Sequence, residues 1–241
     1  MEETYLAKCI VLNSQPFRES DGKKTVYSLE KGKLDLVVRG VKKIKSKLAG
    51  HLEPITLSEI MIVRGKSFDY IGGAVSKNCY PRIKSDLDAL ISAGEAVKSL
   101  NRLVKLEEAD KEVFFILKNF LDYLEKEAES ERRADYSFFS ALFNFKLLVI
   151  LGYQPELYHC AICRKKILPQ GNWFDPEKGG LICPACRGNK TFKVIKISDN
   201  GIKVLRTAGT TDFETLGKLK VSPELGKEIK NIISAFSQYC L

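Results

Sequence analysis

Histidine and tryptophan are scarce in this 241-residue chain, which has two histidines, His51 and His159, and one tryptophan, Trp173. It contains no His-Glu-x-x-His helix, no Gly-x-Ser-x-Gly elbow and no carboxylate cluster suited to a pair of magnesium ions. Lacking these constellations, the chain reads as a binding protein and not an enzyme. Long apolar runs are missing as well. The most apolar stretch, residues 141–153, is interrupted by Asn144 and Lys146 and falls short of the roughly 20 residues that span a bilayer. No transmembrane helix and no membrane partner are expected. The start, Met1-Glu2-Glu3-Thr4, is acidic where a secretory signal is basic, and no apolar region follows it, so a cytoplasmic location is expected. No internal repeat or low-complexity tract occurs.

Two fragments approach catalytic motifs and miss. Gly65-Lys66-Ser67 matches the end of a Walker A loop, but Ile60 stands where the earlier glycine is required, and strand-like residues follow. Lys33-Leu34-Asp35-Leu36 approaches the Lys-x-Asp-Gly nucleophile of nucleotidyl-transferring ligases. It lacks the glycine, and the chain is too short to add a nucleotide-binding domain to a barrel.

What is present supports a folded, basic protein. With 44% apolar and 29% charged residues the chain can bury a core, and its length suits one large domain or two to three small ones. The net charge of +9 favours polyanionic partners. Residues 5–75 alternate apolar and polar in five bursts, near Leu6–Leu12, Thr25–Leu29, Leu34–Arg39, Ile55–Val63 and Phe68–Val75, separated by turn signals. Five short strands suggest a small closed barrel of OB type, with an SH3-like barrel as the alternative.

From Pro81 the period becomes helical. Leu87, Leu90, Ile91, Val97, Leu100 and Val104 share a face after Ser85 as N-cap. A second helix follows Asp110 and carries Glu125, Glu127, Glu129 and Glu131 on its exposed tail. A third, Tyr136 to Leu151, is apolar nearly all round, as a central helix must be, and stops at Gly152. Helical signals resume at Ser198 and at Ser222-Pro223-Glu224. The expected fold is therefore α+β and multidomain, in four segments: an OB-type barrel over 1–80, a helical domain over 81–158 and 194–241, and an inserted cysteine segment over 159–193. Net charge follows these segments, at +5, −3, +5 and +2 in chain order, so the barrel and the cysteine segment hold most of the positive surplus.

Cysteine is the most informative residue type. Four of the seven form two Cys-x-x-Cys pairs, Cys160/Cys163 and Cys183/Cys186, with nineteen residues between the pairs. That is the spacing of a tetrahedral, structural zinc site, and Trp173-Phe174-Asp175 with Gly180-Leu181-Ile182 can form the hairpin that returns the second pair to the first. A redox dithiol and a catalytic zinc are the rivals. Four thiolates leave no position for water, which disfavours the second. Cys9, Cys79 and Cys240 have no partner at metal spacing.

A nucleic-acid site is expected on the barrel. Arg39, Lys42, Lys43, Lys45 and Lys47 place five cations in nine residues, joined by Lys23 and Lys24 from one turn and Arg64 and Lys66 from another. Tyr27, Phe68 or Tyr70 would offer a stacking face to an unpaired base.

Three segments together resemble the bacterial RecO family of recombination mediators. They are Gly40-Val41-Lys42-Lys43…Lys45-Ser46-Lys47-Leu48…Leu52-Glu53-Pro54, Phe143-Asn144-Phe145-Lys146-Leu147-Leu148…Gly152-Tyr153-Gln154-Pro155 and Gly179-Gly180-Leu181-Ile182-Cys183. The resemblance covers nearly the whole chain. It implies a cytoplasmic, nucleoid-associated DNA-repair protein that binds single- and double-stranded DNA and anneals complementary strands without ATP. With its partner RecR it would help RecA displace single-strand-binding protein (SSB), whose acidic, apolar tail would dock on the helical domain. It also implies one structural zinc on Cys160, Cys163, Cys183 and Cys186, with the barrel cations acting as a group. Two other classes remain open: a zinc-ribbon adaptor binding RNA or protein in transcription or translation, and a nuclease or strand-joining enzyme with an unfamiliar site.

Overall fold

In the computed structural model residues 4–130, 135–188 and 193–240 are described. The chain divides into two compact units, Met1–Ala134 and Asp135–Leu241.

The first unit begins with five strands: β1 (Thr4–Pro16), β2 (Gly22–Ser28), β3 (Gly32–Val38), β4 (Leu57–Val63) and β5 (Asp69–Asn78). β1 pairs antiparallel with both β2 and β4, and β3 closes the barrel by running parallel to β5 at Leu36↔Asp69 and Val37↔Tyr70. The order β1-β2-β3-β5-β4 is that of an OB-type barrel. β1 carries a bulge between Val11 and Asn13, which bends it as it passes from its pairing with β4 to its pairing with β2. Alternate residues point inward, and Cys9, Val11, Val26, Leu36, Ile60 and Ile62 are among those that fill the barrel with little or no exposure.

Three helices complete this unit: α1 (Pro81–Ser85), α2 (Leu87–Leu103) and α3 (Lys111–Glu129). They are tied to the barrel by backbone and side-chain bonds. Tyr27 Oη donates to the Asp110 carbonyl (3.1 Å), Lys33 Nζ to the Asn101 carbonyl (2.8 Å), and the Glu107 amide to the Lys33 carbonyl (2.9 Å).

Three sequence expectations are corrected here. Ser85 is not the N-cap of α2: Pro81 starts a separate turn that contains Ser85, and Asp86 caps α2 by accepting from the Ala89 amide (2.9 Å). The buried face of α2 is Ala89, Ser92, Ala93, Ala96, Val97 and Leu100, whereas Leu87 and Ile91 are exposed. Small side chains allow close approach, so the face with more alanine turns inward. Glu125 is half-buried and accepts from the Arg82 and Ile83 amides at the start of α1, so it is not a free acid on an exposed tail. Glu131 lies outside the described residues.

The second unit contains α4 (Tyr136–Ile150), β6 (Trp173–Asp175), β7 (Gly180–Ile182), α5 (Pro184–Arg187), β8 (Ile195–Lys196), α6 (Asp199–Thr210), α7 (Phe213–Leu216) and α8 (Pro223–Tyr239). α4 packs against α8 and α6 and buries Phe138, Phe139, Leu142, Phe143, Phe145, Leu147 and Leu148. The caps are those the sequence announces: Ser198 accepts from the Gly201 amide, Ser222 from Leu225, and Gly152 follows α4 at φ 91°. α5, α7 and β8 were not anticipated, being two to four residues long and too short to show a period. The small sheet runs β7-β6-β8.

Candidate metal centre and nucleic-acid interface

The four cysteines arrive by two different local routes. Cys160 and Cys163 lie on a tight turn, where the Arg164 amide bonds the Cys160 carbonyl (2.9 Å) and the Cys160 amide bonds the Lys165 carbonyl (2.8 Å). Arg164 takes φ 61°, which carries the chain out of that turn. Cys183 follows β7, and Cys186 sits on α5, its amide bonding the Cys183 carbonyl (3.0 Å). The β6–β7 hairpin, with Trp173↔Ile182 in register, returns the second pair to the first.

All four sulfurs lie within 4.8 Å of one another. Cys163 Sγ and Cys183 Sγ are 3.8 Å apart, far beyond the ~2.05 Å of a disulfide. Four sulfurs at ~2.3 Å from one ion would be spaced by about 3.8 Å, so the cluster fits a tetrahedral metal ion. Burial raises the Cys160 thiol pKa, but the amides of Cys163, Cys183 and Ile162 outweigh it and hold the group at about 6. The Cys186 thiol is pushed up to about 12, first by hydrogen bonding with Cys163 and then by burial. Four crowded sulfurs cannot all ionise unaided, and a divalent cation among them removes that conflict. The described cluster is made of cysteines alone. His159 is exposed, with Nδ1 3.8 Å from Glu156.

On the barrel, register brings the cations together. Pro16 at the end of β1 pairs with Gly22 at the start of β2, Gly22 with Val38 at the end of β3, and Tyr70 of β5 with both Val37 and Val63. All five strands thus present an end at one rim, where the turn at 17–21, the segment 39–50 and the turn at 64–68 emerge. Two contacts join these turns. Phe17 and Phe68 meet edge to face with centroids 5.3 Å apart, and Lys42 bonds the 17–21 turn through its amide to Ser20 O (3.1 Å) and its Nζ to Arg18 O (2.8 Å).

Arg39, Lys42, Lys43, Lys45, Lys47, Arg64 and Lys66 are exposed. The Arg39 guanidinium lies 4.5 Å from the centroid of the Tyr70 ring, which is half-buried. Lys23 is paired with Asp35 at 2.8 Å. Lys24 is 6% exposed and donates to Ser14 Oγ (2.8 Å), so its ammonium is not on the exposed rim. Burial lowers its pKa, with the charge of Glu53 opposing. Tyr27 is fully buried and offers no stacking face, because its ring fills the space between barrel and helices and its hydroxyl is held by Asp110. Phe68 is exposed. Sequence reading passed over Phe17 and Arg18. Their signal was an aromatic–arginine pair directly after Pro16 in a barrel turn, and Arg18 lies 5.2 Å from the Phe17 ring centroid.

Two family models cover almost the entire chain. One, described as Recombination protein O N terminal, matches residues 1–80, and the other, Recombination protein O C terminal, matches residues 84–241. The chain belongs to the RecO family. Similar proteins include one named DNA repair protein RecO from Dehalococcoides mccartyi, 31% identical over 237 residues and covering 98% of this chain and 90% of its own. Another of the same name from Desulforamulus reducens is 31% identical over 238 residues, with the same coverage. A third, from Roseiflexus sp., is 28% identical over 240 residues, covering 100% of this chain and 82% of its own. RecO membership gives the chain a role in DNA recombination and repair. Among the described residues no helix is long and apolar enough to cross a membrane.

Proposed function

We propose that this chain is a recombination mediator that binds single- and double-stranded DNA on its barrel rim and anneals complementary strands without a nucleotide. With RecR it then helps RecA load on strands coated by SSB. The observation that carries this reading is the convergence of three turns at one barrel rim, bearing eight exposed cations, Arg18 included, around the Phe17–Phe68 pair. Lysine and arginine on such a rim neutralise phosphates, lower the repulsion between two strands and release counterions, which supplies the driving force. Phe68 adds an apolar face for an unpaired base. The four-segment division at 80, 158 and 193 is proposed as a division of labour within the two compact units.

The metal is proposed to be one structural zinc, because a donor set of four cysteines suits zinc and leaves no open position. For the SSB tail, the second unit offers a groove between α4 and α6 lined by Phe145, Val149, Pro155, Leu157 and Leu205, with Arg206 at its side. Apolar walls beside a guanidinium match an acidic, apolar peptide.

The test is annealing of two complementary labelled strands, bare and then coated with cognate SSB, with no nucleotide present. Acceleration of both is expected. Acceleration of bare strands alone would remove the SSB contact. No acceleration at low salt would overturn the annealing role and favour the zinc-ribbon adaptor, to be pursued by comparing RNA and DNA affinity at matched salt.

A further inference from the structure

Trp173, the chain's single tryptophan, stands apart from the core that surrounds it. Along β6 the side chains alternate. Phe174 is 1% exposed and packs edge to face on Phe236, whereas Trp173 on the other face is only half-buried. Register sets Trp173 opposite Lys196 of β8, and directly paired residues project to the same face, so an exposed ammonium shares the side of the indole. From the other direction α5 brings the Arg187 guanidinium to 5.1 Å from the indole centroid. Arg187 is placed there by its neighbour Cys186, a member of the sulfur cluster.

The cysteine segment is basic, while the nearby acids Asp199 and Glu228 are engaged by the Gln170 amide and by Ser198. Arg164, Lys165 and Lys166 are exposed on the turn after Cys163. Residues 159–193 hold seven basic and two acidic side chains, and one of those acids, Asp175, is buried and occupied by the Glu177 and Lys178 amides.

We propose that the cysteine segment carries a second site for an unpaired DNA strand, in which a base stacks on the Trp173–Arg187 pair while Lys196, Lys165 and Lys166 meet phosphates. An indole flanked by cations matches the two parts of a single strand, the flat base and the charged backbone. A duplex would offer only the backbone, and an acidic peptide would engage only the cations. The inference rests on the DNA-binding reading above and extends it. A chain with one strand site on the barrel rim and another on the cysteine segment can hold both partners of an annealing reaction at once.

The test uses the intact protein and Trp173 itself as the reporter. An unlabelled oligothymidylate of about 16 nucleotides is titrated while Trp173 emission is followed, since a stacked base quenches an indole, and anisotropy of a labelled copy reads total binding. Saturable quenching is expected in the parent protein and in the Lys42→Ala/Lys43→Ala/Lys45→Ala variant. Arg187→Gln with Lys196→Gln should move the quenching midpoint roughly 5- to 100-fold to higher concentration at an unchanged thermal midpoint. Should that pair unfold the segment, Lys165→Gln with Lys166→Gln on the exposed turn must weaken quenching in the same direction.

Binding by anisotropy without any change in emission would overturn the second site. So would quenching that vanishes in the barrel variant, or equal quenching by an acidic peptide of the same charge. Absence of binding by anisotropy would instead overturn the DNA-binding reading, and this inference with it.

Discussion

Lys24 and Lys42 carry the same charge on the same barrel and have opposite fates. Lys24 sits within β2, where alternation turns it inward against Ser14, whereas Lys42 stands on a turn with its side chain at the surface. A list of cations read from sequence cannot separate the two, because the separation depends on strand phase. The exposed group should act through phosphate neutralisation. Replacing Lys42, Lys43 and Lys45 by alanine is expected to weaken DNA binding whatever the DNA sequence and to flatten the salt dependence by about 0.7 per lost contact on single strands. Titrations at several salt concentrations check this, and an unchanged slope would move the site off this loop. Gly32 illustrates a different constraint. It has φ 73°, and a Cβ there would run into the Glu108 carbonyl. Gly32→Ala should therefore cost about 1–3 kcal/mol in urea unfolding, by strain and by parting the barrel from the following loop.

At the scale of elements, the signals that survived were those with local causes. Asp110, Ser198 and Ser222 cap their helices as read, because a side-chain oxygen meeting an amide two or three residues on is a local bond. The Ser85 reading failed because Pro81 opens an extra turn that consumes the serine, whose Oγ donates to the Pro81 carbonyl (2.8 Å). The structure thus separates two neighbouring residues. Asp86→Ala should destabilise by about 1 kcal/mol, and Ser85→Ala should stay within about 0.5 kcal/mol. Equal effects in thermal unfolding would reverse the assignment. The face of α2 was misjudged for a related reason. Apolar periodicity favours large residues, but helix burial also depends on how closely the backbone approaches its neighbour, and Ala89, Ala93 and Ala96 allow closer approach than Leu87 and Ile91.

For the whole molecule, a metal ion is the expected organiser of the segment between α4 and α6. That segment has short strands and a four-residue helix, and its four sulfurs join the turn at 160–163 to the residues that follow the hairpin. Fresh protein should contain one zinc per chain, and Cys183→Ser or a strong chelator should lower the midpoint of an early thermal transition, by about 2–4 °C for each kcal/mol lost. Metal analysis by mass spectrometry and calorimetry on the same sample checks both. Metal-free protein with an unchanged melt would leave the cysteines without a structural role.

The amino-acid sequence was enough for the five barrel strands, the longer helices, the paired cysteines and the basic character of the barrel, each of which is written in periodicity, spacing or composition along the chain, and three of its segments carried the resemblance to the family. Tertiary structure alone decided that β3 and β5 run side by side, that Phe17 meets Phe68, that Lys24 and Tyr27 are buried, and that Arg187 lies over Trp173. Those pairings join residues tens of positions apart or depend on which way a strand turns its faces. Only closure of the barrel and return of the hairpin bring such groups within a few ångströms.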